Sequence, residues 1–136
     1  MLATQTCLTF APAVAQDAEA LVAIRIATMR ESLERIGRFD LARVRDRLLD
    51  SYVPEYTQHI EWKGVRIGLV VVKPQGLKLW LDHLYIQRDH QGLGIGAAVL
   101  AQVFARADAA GQSLHLRSLR DSDSNRFYLR HGFELL

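Results

Sequence analysis

The 136-residue chain is 49% hydrophobic and 24% charged, with a formal net charge of +2, the proportions of one ordinary globular domain with enough apolar surface for a core. No apolar run approaches the roughly 20 residues that span a bilayer; the longest run of Leu, Ile and Val is Leu69-Val70-Val71-Val72. A lone Cys7 excludes an intrachain disulfide and a cysteine zinc site. It points to a reducing, cytoplasmic setting, and the near-balanced charge demands neither a nucleic-acid nor a membrane partner.

In chain order, Leu8-Thr9-Phe10 is β-prone and precedes Pro12, as in an edge strand that stops early. The small residues of Phe10 to Gln16 imitate a signal cleavage site. Residues 1–16 carry no Lys or Arg, however, so the stretch reads as a first strand. Asp17 offers a helix N-cap, with Glu19 in the first turn. Val22, Ile26, Met29, Leu33 and Ile36 then form one apolar stripe, closed by Gly37. Asp40 caps a second helix with Leu41, Val44 and Leu48 on one side, and Pro54 forbids its continuation. Its Arg43, Arg45 and Arg47 read as a solvated face. No aromatic residue interleaves with them, as a nucleic-acid surface would require.

The period then changes. Gln58 to Trp62, a Lys63-Gly64 turn and Val65 to Lys73 predict a hairpin; Pro74-Gln75-Gly76 turns into a third strand, Leu77 to Ile86. That strand is apolar on both faces and should be central. Val99 to Ala107 predict a helix stopped by Gly111, Leu114-His115-Leu116 a short strand, Ser122 or Ser124 the cap of a last helix through Tyr128 to Arg130 that Gly132 ends, and Phe133-Glu134-Leu135 a final strand. The order β-α-α-β-β-β-α-β-α-β is a mixed α/β (α+β) sheet in a single domain over 1–136.

The chemistry concentrates between the third strand and the next helix, in Gln91-Gly92-Leu93-Gly94-Ile95-Gly96. Glycines permit positive φ and bare backbone, and amides at a helix start attract phosphate. Gly92, Gly94 and Ala97 fit a permissive dinucleotide fingerprint, but the acidic residue due about 20 positions on is missing. No Gly-Lys-Ser or Gly-Lys-Thr follows, so a Walker A loop is excluded as well.

Gln91-x-x-Gly94-x-Gly96 resembles the acetyl-CoA loop of the GNAT superfamily of N-acyltransferases. Leu84-Tyr85-Ile86 is similar to that family's fourth strand, and Asn125-Arg126-Phe127-Tyr128 with Gly132-Phe133 to its second cofactor motif. The resemblance implies splayed central strands and acetyl-CoA as co-substrate, with no metal. It places a diphosphate on the amides of Gln91, Gly92, Leu93, Gly94, Ile95 and Gly96. The pantetheine arm would lie beside Leu84 and Ile86, with a further contact from Asn125. Tyr128 would be the general acid for the leaving thiolate. Members usually continue through one more strand, whereas this sequence ends at Leu136. The expectation is that this strand is missing or that a neighbouring copy supplies its edge, which favours a homodimer.

The implied activity is N-acetylation of a small-molecule or peptide primary amine by direct attack; the alternative is a non-catalytic acyl-CoA-binding module or partner subunit. A lysine-like amine is only about 0.04% neutral at pH 7, a handicap of about 4.6 kcal/mol that a base must offset. Asp82 is the first candidate: strand alternation puts it on one face with Trp80, Leu84 and Ile86, beside the implied arm. Equally, it could be paired with one of the 14 arginines. His83, predicted on the opposite face, is the weaker base. Glu31, Glu34, Arg38, Tyr52 and Tyr56 could line the acceptor pocket, and each also suits a solvated side chain.

Overall fold

A computed structural model describes residues 7–35, 37 and 40–116. Its elements run β1 (Leu8–Pro12), α1 (Ala18–Arg35), α2 (Leu41–Asp50), β2 (Thr57–Trp62), β3 (Val65–Gln75), β4 (Lys78–Ile86), α3 (Ile95–Ala110) and β5 (Ser113–Leu116). Through β5 this is the order expected from the sequence. The last helix and strand of that expectation, with Asn125, Tyr128, Gly132 and Phe133, lie outside the described residues.

The five strands form one sheet in the order β1-β2-β3-β4-β5, antiparallel except for the parallel β4–β5 pair that α3 connects. Hydrophobic residues alternate to both sides of β3. Ile67, Val70 and Val72 join Leu79, Leu81, Leu84 and Ile86 under Ile95, Val99, Leu100 and Val103 of α3. Leu69 and Val71 face Leu21 and Val22 of α1 and Leu48 of α2. The sheet is thus sandwiched between helices, which is why its central strands read as apolar on both faces. Each fully buried Leu or Ile contributes about 1.5–3 kcal/mol.

Local chemistry explains most boundaries. Asp40 accepts from Arg43 N at 3.2 Å and starts α2. Gly37, at φ +71°, ends α1. Lys63 and Gly64 both take positive φ, which a two-residue hairpin turn matching the strand twist requires. Three details differ from expectation. Asp17 does not cap α1 but closes a 3₁₀ turn (Ala15–Asp17): its carboxylate accepts from Val14 N at 3.0 Å and binds His59 Nε2 at 2.8 Å. Leu41 is exposed, because the helix face that meets the sheet is set by Val44 and Leu48. The β3–β4 turn is Gly76-Leu77; Pro74 stays in β3, opposite Leu79, along a stretch where β2 has already ended.

At Gly68 the requirement is space. An added Cβ would lie 2.0 Å from the Tyr85 carbonyl oxygen across the β3–β4 pair. Gly68→Ala is therefore expected to push the strands apart and cost about 1–3 kcal/mol, read as a lowered denaturation midpoint with m unchanged.

Candidate active site

The site grows from an irregularity in β4. Val71 pairs with His83 and Val72 with Leu81, so Asp82 is an extra residue, a β-bulge. The bulge resets the alternation: Leu79 and Leu81 before it, and Leu84 and Ile86 after it, all enter the α3-side core. The expected grouping of Asp82 with Trp80, Leu84 and Ile86 is thereby corrected. His83 is not on the face opposite Asp82 either. Asp82 meets Lys73 at 3.6 Å and His83 meets the Tyr85 hydroxyl at 3.1 Å, both on the side covered by α1 and α2. Among the described residues the ion pair of Asp82 is with a lysine, whose ammonium also donates to Ser51 O at the end of α2.

Among the described residues, β4 pairs with β5 over Lys78–Leu81 against Ser113–Leu116, the last described residues of β5. Tyr85 O lies against Gly68 of β3, and Gln87 N donates to Ile67 O at 2.7 Å. By alternation the backbone groups of Leu84 and Ile86 face away from β3, towards the side on which β5 pairs. Gln91 Nε2 donates to Ile86 O at 2.8 Å, bracing the loop against this edge.

The loop itself reverses twice through left-handed glycines, Gly92 at φ +78° and Gly94 at φ +79°. An added Cβ at either would meet nothing within 4 Å, so conformation, not crowding, is what demands glycine there. Gly94 is the N-cap of α3, and the first helical bond runs from Ala98 N to Gly94 O at 3.1 Å. The amides of Gly94, Ile95, Gly96 and Ala97 are therefore those the helix leaves without intrahelical acceptors, at its positive end. Gln91 departs from expectation: its amide already donates to Arg88 O at 3.1 Å in a 3₁₀ turn. Leu93 is exposed between the glycines, whereas the Ile95 side chain is buried and pins the helix start to the core. Arg88 reaches Glu31 of α1, an ion pair that ties the loop to the helical layer.

Sequence reasoning missed Arg25 and the Tyr85 hydroxyl. Arg25 is buried on α1; its Nε donates to Tyr85 Oη at 3.0 Å and its Nη1 to Val44 O. Its spacing, three residues after Val22 and four before Met29, puts it on the apolar stripe and was the available signal. Burial, with Arg25, Arg47 and Lys73 nearby, pushes the His83 pKa down to about 3, so its ring is neutral at physiological pH. Tyr52 donates to Val14 O at 2.5 Å, which gives this acceptor-pocket candidate a structural contact.

A mixed sheet whose central strand runs into a glycine loop and helix start is the architecture of an acyltransferase domain. A family model described as the acetyltransferase (GNAT) domain matches residues 55–135, and the chain belongs to that family. Among solved structures, PaiA N-acetyltransferase from Thermoplasma acidophilum, in complex with coenzyme A, superposes with a TM-score of 0.75 at 16% identity, over 95% of this chain and 91% of that one. An acetyltransferase from Thermus thermophilus gives 0.68 at 22% identity, over 95% and 88%. Arabidopsis thaliana Naa50, bound to a bisubstrate analogue CoA-Ac-MVNAL, gives 0.63 at 15%, over 96% and 85%. At such identities the likeness shows the fold alone. Comparison with curated proteins by sequence returns no match. Among the described residues, no helix is long and apolar enough to cross a membrane.

Proposed function

We propose that the chain is an acetyl-CoA-dependent N-acetyltransferase that acts on a primary amine by direct attack. One observation carries this reading: the uncapped amides at the start of α3 follow closely on the Leu84–Ile86 end of β4, whose backbone groups face away from β3. The first feature suits a diphosphate and the second an extended arm with two amides, so the residues present fit the cofactor. The coenzyme A complexes of PaiA and Naa50, on the same fold, support it.

Bound acetyl-CoA supplies an activated acyl thioester. The amides of Gly94, Ile95, Gly96 and Ala97, with Gly92 and Leu93 shaping the approach, hold the diphosphate, and Gln91 braces the loop. The backbone of Leu84 and Ile86 orients the arm. Asp82 takes the proton of the acceptor ammonium, Asn125 adds a cofactor contact, and Tyr128 donates a proton towards the departing sulfur. With a thiol pKa near 8.5, net uptake of a proton from solvent at pH 7, by way of Tyr128, is downhill by about 2 kcal/mol.

Saturating acetyl-CoA is expected to raise the melting temperature, and mass spectrometry of an amine panel to reveal a product 42 Da heavier, the mass of an acetyl group replacing a proton. Absence of any thermal shift at millimolar acetyl-CoA would overturn the reading. Binding without transfer across the panel would select the non-catalytic acyl-CoA-binding module. Tyr128→Phe is expected to lower kcat about 10²-fold with little change in acetyl-CoA affinity, the scale of a lost general acid.

A further inference from the structure

The polar row at the β4 bulge joins Arg25, Tyr85 and His83. An arginine only donates, so the Tyr85 hydroxyl accepts from Arg25 Nε. Its own proton can then go to His83 Nδ1, 3.1 Å away, and in that arrangement the neutral imidazole carries its proton on Nε2 and is a donor. Nε2 makes no hydrogen bond among the described residues, although the side chain is 3% exposed.

The charge around this donor is one-sided. Arg25 on α1, Arg47 on α2 and Lys73 on β3 all act on His83. Of these three, Lys73 meets a carboxylate, that of Asp82, at 3.6 Å. Neither Arg25 nor Arg47 has a carboxylate within ion-pair distance among the described residues. Arg47 is exposed, but the Arg25 guanidinium is buried, where a charge without an anion is costly and an entering anion relieves that cost. The row also lies on the α1/α2 face at the bulge, immediately before the Leu84–Ile86 edge assigned to the arm.

We propose that this row selects the acceptor: the amine acetylated by this chain carries a carboxylate, which accepts from His83 Nε2–H in the field of Arg25, Arg47 and Lys73. The inference rests on the N-acetyltransferase reading for its substrate, but not for its test. In ¹⁵N imidazole spectra of the whole chain, His83 is expected as the Nε2–H tautomer, without titration between pH 5 and 8. Butyrate is expected to shift its Nε2–H resonance and butyramide to leave it in place. An Nδ1–H tautomer, titration between pH 5 and 7, or equal responses to the two probes would overturn the proposal, whether or not any amine is acetylated.

In turnover, amino carboxylates are expected to show KM values at least tenfold below those of their carboxamides, compared on the neutral-amine fraction. Tyr85→Phe, which frees Nδ1, is expected to shrink that gap by about tenfold. Equal KM values in the unaltered protein would overturn the carboxylate assignment while leaving acetyl transfer standing.

Discussion

Gly94→Glu is expected to weaken acetyl-CoA binding at least a hundredfold in a calorimetric titration, about 3 kcal/mol. Two effects add. Gly94 sits at φ +79°, where a side chain costs roughly 1–2 kcal/mol in backbone strain. The new carboxylate would also stand at the helix start that the diphosphate is proposed to occupy. At about 5 Å, each phosphate charge would repel it by roughly 1–3 kcal/mol, for an effective dielectric between bulk water and a protein surface. Gly94→Ala separates the effects: it carries the strain without the charge, and should lower stability by about 1 kcal/mol with a much smaller loss of affinity. Raised salt should partly restore binding to the Glu variant, since an exposed loop is screened. Wild-type affinity in Gly94→Glu would remove the diphosphate from this loop.

Acidification supplies the second large effect. His83 has a folded pKa of about 3 against 6.5 for the free side chain, because burial and the cations Arg25, Arg47 and Lys73 disfavour its charged form. A depressed pKa means that the unfolded chain binds the proton first. The associated stability is fully present above pH 6.5, and is lost progressively as the pH falls towards 3. Between pH 7 and pH 5 the loss amounts to about 2 kcal/mol, from 1.36 kcal/mol per unit. Urea denaturation at the two pH values measures it, and His83→Gln should flatten the difference. Asp17, whose pKa is lowered chiefly by its hydrogen bond to His59, acts in a separate window: its contribution disappears only below the ordinary carboxylate range. An unchanged midpoint between pH 7 and 5 would contradict a buried, neutral His83.

The element order through β5, the two-faced apolar strands and the glycine loop at a helix start were all legible in the chain. Each is a local matter: a hydrophobic period, a capping side chain such as Asp40, or a positive φ that glycine alone adopts cheaply, as at Gly94. Family membership followed from the same loop, because the amides that hold an anion come from adjacent residues.

What the chain order could not give was the face on which Asp82 and His83 lie. Strand alternation presumes an unbroken period of two, and the bulge that breaks it exists only once Val71 and Val72 of β3 are paired with β4. The direction of the Arg25–Tyr85–His83 bonds was hidden for a related reason. Arg25 and Tyr85 are 60 residues apart, and a guanidinium on an apolar stripe reads as an exception until the helix is laid on the sheet. Sequence alone determined which stretch of backbone offers unpaired amides at a helix start, since that depends on neighbours in the chain. Tertiary structure alone decided which side chains gather at the bulge, since that depends on the register between strands and on partners brought together by folding.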